Sequence, residues 1–256
     1  MKKVIAFVAS ARKAHTYDAA VQFLGELQSM GDVETEIVRL SEFEIRPCRG
    51  CKVCFEKGEE HCPLKDDRDA LVDKMMGSDG VVFATPNYSF QVSAHLKLLL
   101  DRMGFVFHRP RFFGKAFTSI VVQGIYGGDK IVDYLDFVGN GLGFNTVRGR
   151  VIPAMDPPTE KQQRKIDQAL AGLARRYYAT LAKAAYPAPS LFKLMIFRMG
   201  RTSIRLELDD RSRDFTYYTD NGWLKSDYFY PTRLGPLMKG AGRLFDALSA
   251  NMAKAR

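Results

Sequence analysis

The chain has little with which to do acid–base or nucleophilic chemistry. Its four histidines, His15, His61, His95 and His108, are scattered and form no H-E-x-x-H or similar metal pair. No catalytic triad and no carboxylate pair stands out. Long apolar runs are missing too, and none approaches the length that spans a bilayer. "MKKVIAFVAS" opens on two lysines, but its apolar run is too short for a signal peptide and reads as a buried first strand. A cytoplasmic, reducing setting is therefore expected, which disfavours structural disulfides. Internal repeats and low-complexity segments are absent. Cysteine is absent everywhere except one stretch, "CRGCKVCFEKGEEHC", which holds Cys48, Cys51, Cys54 and Cys62.

What is present suits a globular protein. A length of 256 residues allows one large α/β domain, or a domain with an appendage. The net charge of +9 is uneven: residues 151–256 carry 18 Lys and Arg against 10 Asp and Glu. Such an excess attracts nucleic acid or anionic lipid, or simply makes a solvated face. No nucleic-acid motif accompanies it, so no nucleic-acid partner is expected.

Strand and helix patterns alternate. Apolar runs at 3–9, 33–40, 79–85, 116–124 and 145–152 read as strands. Helical spacing occupies 16–30, 67–77, 93–104 and 128–140. This βαβα order calls for a parallel sheet covered by helices on both faces. Asp156-Pro157-Pro158 reads as a helix start, followed by a stripe of Ile166, Leu170, Leu173, Tyr177, Leu181 and Ala184. "YPAPS" (186–190) breaks that helix, and a basic, aromatic tail follows.

In an open parallel sheet, ligands sit beyond the carboxyl ends of the strands. Three loops fall there. "ASARKAHTYD" offers Ser10, Arg12, His15 and Thr16 beside a helix start, a donor set for phosphate or for ordinary capping by Ser10 or Thr16. It has no glycine, so it is neither a P-loop nor a G-x-G-x-x-G turn. In "TPNYSFQVSAHLK", Pro86 predicts a turn just past the strand, with Asn87, Tyr88, Ser89 and Phe90 to lie along a flat heterocycle, and Ser93 is placed to cap the next helix. In "VQGIYGGD", Gly124, Gly127 and Gly128 allow close backbone approach and Tyr126 can stack.

Together, "ASARKAHTYD", "TPNYSFQVSAHLKLLLDR" and "VQGIYGGD" resemble the flavodoxin-like NAD(P)H-dependent FMN reductases, and within them the iron–sulfur flavoproteins, over about residues 1–150. Members carry loops such as "GSPRKNSNT" and "SPVYFGSVSAQLKALIDR" at these places. The resemblance implies a flavodoxin-like doubly wound five-stranded parallel sheet of order 2-1-3-4-5, with a C-terminal helical and irregular extension. It divides the chain into an FMN-binding domain, 1–186, and an extension, 187–256. It implies that Ser10, Arg12, His15 and Thr16 hold the FMN phosphate, that Pro86, Asn87, Tyr88, Ser89 and Phe90 hold the ring, and that Gly124, Tyr126, Gly127 and Gly128 meet its other edge. Ala9 and Ala11 stand where members have Gly and Pro. The chemistry implied is transfer of electrons from NAD(P)H to a quinone, flavin or other small acceptor, and a flavin enzyme needs no catalytic side chain of its own.

The cysteines keep several readings. C-x2-C-x2-C-x7-C-P shares its first half with the ferredoxin run and returns later, which suits a 4Fe-4S cluster on Cys48, Cys51, Cys54 and Cys62. Zinc, or free or redox-active thiols, are the alternatives. With a cluster, the protein is an electron carrier served by a redox protein partner. A homodimer or higher homo-oligomer is expected, since a second subunit can wall an exposed flavin edge. In "SLFKLMIFRMGRTSIR", Arg198, Arg201 and Arg205 fall within about 60° on a helical wheel. That stripe suits peripheral contact with an anionic membrane, or packing against core or partner.

Overall fold

The computed structural model describes residues 1–154, 157–183 and 186–254. In chain order the elements are β1 (Lys2–Val8), α1 (His15–Met30), β2 (Val33–Arg39), α2 (Val53–Glu56), α3 (Arg68–Met76), β3 (Gly80–Pro86), α4 (Ala94–Arg102), α5 (Gly104–His108), β4 (Ala116–Gln123), α6 (Gly128–Gly141), β5 (Asn145–Thr146), β6 (Arg150–Pro153), α7 (Glu160–Leu181), α8 (Leu191–Glu207), α9 (Arg213–Asp220) and α10 (Pro236–Lys254). Contacts divide the chain into two compact units: Met1–Cys48 with Lys65–Ala185, and Arg49–Leu64 with Tyr186–Arg256.

The first unit is the parallel sheet, in the order β2-β1-β3-β4-β5, with β6 also paired to β4. The single fifth strand read over 145–152 is broken in two. Phe117 pairs Thr146 and Ile120 pairs Arg150, so between these pairs two residues on β4 face three on the edge. The extra residue makes a bulge, a common feature of sheet edges. Strands β1, β3 and β4 are buried on both faces, which is why they read as unbroken apolar runs. On one face Val4, Ala6, Val8, Val82, Ala84 and Ile120 pack under α1 and α7. On the other, Phe7, Phe83, Phe117, Phe144 and Phe112 form a chain of rings 4.5–5.9 Å apart.

Helix α7 carries the expected stripe: Leu170, Leu173, Tyr177 and Leu181 are buried and Ile166 packs at the margin. Tyr177 is fully buried, and its hydroxyl donates to the carbonyls of Val81 (3.4 Å) and Ala116 (3.3 Å). Gly80 makes room for it, since a Cβ there would stand 2.1 Å from that hydroxyl. The helix starts later than the Asp-Pro-Pro reading placed it. Thr159 caps it in a capping box with Gln162. Asp156 and Ala184 lie outside the described residues.

The second unit is built differently. Phe197 of α8 meets Tyr228 and Phe229 at 5.5 and 4.5 Å, and Trp223 is ringed by Tyr217, Tyr218 and Phe229. Arg198 and Arg201 are only 6% and 5% exposed. Arg198 pairs with Asp227 (2.8 Å) and Asp246 (3.0 Å), and Arg201 with Asp246 (2.6 Å). Asp246 also accepts from the Thr202 hydroxyl at 2.8 Å. These bonds hold α8 to α10. Of the three arginines in the stripe read as either a membrane face or a packing face, Arg198 and Arg201 are thus inside, neutralised by carboxylates, as the packing reading has it, and Arg205 is exposed.

Candidate flavin site

Three loops leave the carboxyl ends of β1, β3 and β4 and are joined to one another by hydrogen bonds. Ser93 is the joint between the first two. Its hydroxyl donates to the Ala9 carbonyl (2.7 Å), its N–H donates to Thr85 Oγ1 (3.0 Å), and its oxygen caps α4. The cap was legible in the sequence; the tie to the first loop was not.

The first loop ends at Ala14, which occupies the N-cap of α1 without any side-chain cap bond. The expected capping by Ser10 or Thr16 is therefore replaced. Ser10 is buried and its hydroxyl donates to the Arg12 carbonyl at 2.9 Å, and Thr16 is buried as the second residue of the helix. Arg12 and His15 are exposed. An uncapped helix start beside an exposed guanidinium is a donor set suited to a phosphate.

In the second loop the turn lies later than Pro86 suggested. Pro86 is the last residue of β3, buried and in register with Val122. The chain then reverses at Tyr88–Gln91, whose N–H and carbonyl groups bond to each other at 3.0 and 3.1 Å. Its two central residues, Ser89 and Phe90, have φ of 50° and 62°. Two successive left-handed residues make a primed turn that ordinarily takes Asn-Gly. A bulky Phe there costs on the order of 1–3 kcal/mol and marks a functional segment.

The third loop packs against that turn. Asn87 Nδ2 donates to the Tyr126 carbonyl at 3.0 Å, and the Phe90 and Tyr126 rings lie 5.2 Å apart. Gly127 has φ of 91°, and a Cβ on it would stand 2.7 Å from the Phe90 ring. Gly124 faces open space, whereas Gly128 is buried and packs on Gln123 and Val151. Gln123 is the residue that sequence reasoning missed. Its Oε1 accepts from the Gly128 N–H at 2.6 Å, which fixes the start of α6. A lone Gln at a strand end carries no pattern that would announce this.

The result is a rim of exposed apolar groups, Tyr88 (56%), Phe90 (58%), Ile125 (86%) and Tyr126 (65%), beside backbone held in glycine-type conformations. Asn87, Phe90, Tyr126 and Gly127 are brought together; Gly128 and Pro86 stand behind them as supports. These residues fit FMN: donors at the α1 start for its phosphate, and flat aromatic faces with open main chain for its ring.

The cysteine segment is closed at its neck within the first unit. Glu44 N–H donates to Asp67 (2.7 Å), and Arg46 N–H to Asp66 (3.0 Å). Arg102 forms a buried ion pair with Asp66 and donates to the Arg46 carbonyl at 3.1 Å. Burial alone would raise the Asp66 carboxyl, but the bonds from Arg102 and from the Arg46 and Arg68 N–H groups hold it below its ordinary value. Asp101, the neighbour of Arg102, pairs with Lys97 one turn back on α4. Cys48 ends the first stretch of the sheet unit, while Cys51, Cys54 and Cys62 belong to the second, with Cys54 on α2. Among the described residues no group of three or more His, Cys, Asp or Glu is gathered to hold a metal ion. His15, His61, His95 and His108 likewise form no ligand set.

Residues 2–155 match the family described as NADPH-dependent FMN reductase. An iron-sulfur flavoprotein of Archaeoglobus fulgidus is 34% identical over 163 residues, covering 58% of this chain and 71% of that one. Among solved structures, RosB with a bound 8-demethyl-8-formylriboflavin-5'-phosphate intermediate superposes with a TM-score of 0.57 at 15% identity, covering 92% of each chain. An NAD(P)H:quinone oxidoreductase from Methanothermobacter marburgensis gives 0.53 at 15% identity, over 68% of this chain and 96% of that one. At such identity the two structures speak for the fold. The sheet order, the three coupled loops and the match over more than half its length agree: the chain belongs to the NADPH-dependent FMN reductase family, as an FMN-containing oxidoreductase that draws on NAD(P)H.

Proposed function

We propose that this oxidoreductase passes its electrons to a small, flat, diffusible acceptor of the quinone class. The observation that carries the reading is the exposed rim of Tyr88, Phe90, Ile125 and Tyr126. Aromatic faces left open to solvent offer stacking area to a planar ring, worth roughly 0.5–1.5 kcal/mol per aromatic pair beyond the area buried. The name of the Methanothermobacter relative supports the same class. When bound, FMN accepts a hydride from the nicotinamide and passes on two electrons. The chain's own part is to bind and orient. Arg12 and the α1 start hold the phosphate, the strained Ser89–Phe90 turn and Gly127 set the floor, and Asn87 locks one loop to the other. No side chain of the rim has to move a proton. The net reaction is NAD(P)H, a proton and a quinone giving NAD(P)⁺ and hydroquinone.

Steady-state oxidation of NAD(P)H by the FMN-loaded protein tests this. A soluble benzoquinone should accelerate it, and Phe90→Ala with Tyr126→Ala should raise the quinone KM more than the NAD(P)H KM. A quinone that leaves the rate at its oxygen-only background would reject the acceptor class.

A second reading, an electron carrier with a cysteine-bound cluster, is favoured by the C-x2-C-x2-C-x7-C spacing and by the name of the Archaeoglobus relative. Protein purified without oxygen would then contain iron and sulfide beside flavin. Flavin without iron would remove this reading and leave the first intact.

A further inference from the structure

The loop that leaves β1 is held from outside by a residue of the next strand. Arg39 ends β2, in register with Val8, the last residue of β1. Its Nη2 donates to the Ala11 carbonyl at 2.8 Å, and its Nη1 is anchored on the Glu42 carboxylate. Neighbouring carbonyls of the same loop are taken as well. Ser93 Oγ donates to the Ala9 carbonyl at 2.7 Å and Ser10 Oγ to the Arg12 carbonyl at 2.9 Å. The Ala14 carbonyl accepts from the N–H groups of Tyr17 (2.7 Å) and Asp18 (3.0 Å).

The N–H groups of the loop are treated in the opposite way. Among the described residues, none of the backbone N–H groups of residues 10–16 donates a hydrogen bond. Carbonyls tied off and N–H groups left open are the polarity an anion needs, because a carbonyl turned toward a phosphate would repel it. Nothing local imposes this shape, since "ASARKAHTYD" contains neither glycine nor proline. Arg39 itself does little for the fold. Its side chain keeps 20% exposure, and its Nε is buried without a partner. A buried donor left unpaired is a cost to stability. What the placement secures is the bond to Ala11.

We propose that Arg39 is a positioning residue for the cofactor phosphate, a role that rests on the flavin site described above and not on the choice of acceptor. By holding the Ala11 carbonyl back toward β2, it leaves the N–H groups of the loop and the α1 start free to meet the phosphate. A guanidinium suits the task. Its planar fork serves two acceptors at once, the Ala11 carbonyl and the Glu42 carboxylate, and the point charge of a lysine does not reproduce that geometry.

The test is isothermal titration of the flavin-free, full-length protein with FMN and with riboflavin, which lacks the phosphate. The parent should bind FMN more tightly than riboflavin. Arg39→Met keeps an unbranched apolar stem and donates nothing. It should weaken FMN by about tenfold, the scale of one charge-assisted hydrogen bond, and leave riboflavin within about twofold. The loss should persist at high salt, where the pull of a distant charge on the phosphate is screened. Arg39→Lys keeps the charge without the fork, and its FMN affinity should stay nearer to Arg39→Met than to the parent. If Arg39→Met melts well below the parent, Arg39→Lys carries the test. Three results would each overturn the proposal: FMN and riboflavin weakened equally, which is a merely structural role; the parent's preference for FMN kept in Arg39→Met; or Arg39→Lys binding FMN as the parent does, which makes the charge sufficient. A parent that binds the two flavins alike would instead remove the phosphate assignment, and the proposal with it.

Discussion

The sheet unit and the tail unit hold their helices in place with different materials: aliphatic side chains against the sheet in one, a shared carboxylate between α8 and α10 in the other. The sheet unit packs its helices on Val, Ile, Leu and a row of five phenylalanines, and it too buries arginines, Arg68, Arg102 and Arg109. The tail unit buries two arginines against two aspartates inside a cluster of aromatic rings, and leaves leucines outside. The strand runs of the first unit report burial faithfully, whereas on α8 of the second unit Arg198 and Arg201 are buried beside Leu194 and Phe197 while Ile196 and Leu206 are exposed. Neutralised guanidinium groups bury well when every face finds a carboxylate or a ring, and nothing in the spacing of arginines tells a solvated row from such a brace.

That contrast can be broken by removing the brace. Asp246→Ala removes the carboxylate shared by Arg198, Arg201 and Thr202, leaves Arg198 its pair with Asp227, and should cost on the order of 3 kcal/mol, a value discounted from a fully buried pair because Asp246 keeps 21% exposure. A urea melt followed by Trp223 fluorescence reads this directly, since the chain's one tryptophan lies in the tail unit. FMN affinity, which depends on the sheet unit, should fall far less than stability.

In the sheet unit the corresponding probe is backbone freedom. Gly127→Val forces a branched side chain into φ of 91° and onto the Phe90 ring. It should weaken FMN binding by at least about tenfold, since left-handed strain and a displaced ring each cost roughly 1 kcal/mol or more. Arg12→Ala removes one exposed charged donor and should weaken FMN about tenfold, with riboflavin, which lacks the phosphate, unaffected. Isothermal titration with both ligands separates the two loops.

The smallest effect belongs to the neck of the cysteine segment. Asp66 is held below its ordinary 3.8 by Arg102 and backbone N–H groups, against the opposing effect of burial. Its contribution to stability is thus fully present above pH 3.8 and is lost as pH falls through the lower folded value. Urea melts between pH 5 and pH 3 should show a steeper acid loss in the parent than in Asp66→Asn, whose slope lacks this titration.

Most of the sheet was legible because strands buried on both faces leave unbroken apolar runs, and because Leu170, Leu173, Tyr177 and Leu181 keep helical spacing. The broken fifth strand was not, since one bulged residue leaves the run 145–152 looking continuous. At the site, Asn87, Phe90, Tyr126 and Gly127 were legible as loop chemistry. Their mutual contacts, the Ser89–Phe90 turn and the Gln123 support were not, because they join residues far apart in sequence or depend on strain that composition does not record. In the tail, the packing of the α8 stripe was legible as one of its two readings; the carboxylates that brace Arg198 and Arg201, Asp227 and Asp246, were not, because they lie 29–48 residues away in sequence.

The most direct test of the account is anaerobic reduction of the FMN-loaded protein by NADPH, followed at the flavin's visible band in parent, Arg12→Ala and Gly127→Val. The three strand-end loops predict stoichiometric FMN in the parent, bleached by NADPH, with both variants saturating only at higher FMN. A parent that takes up no FMN, or variants that bind and bleach as the parent does, would contradict the assignment of the flavin to these loops.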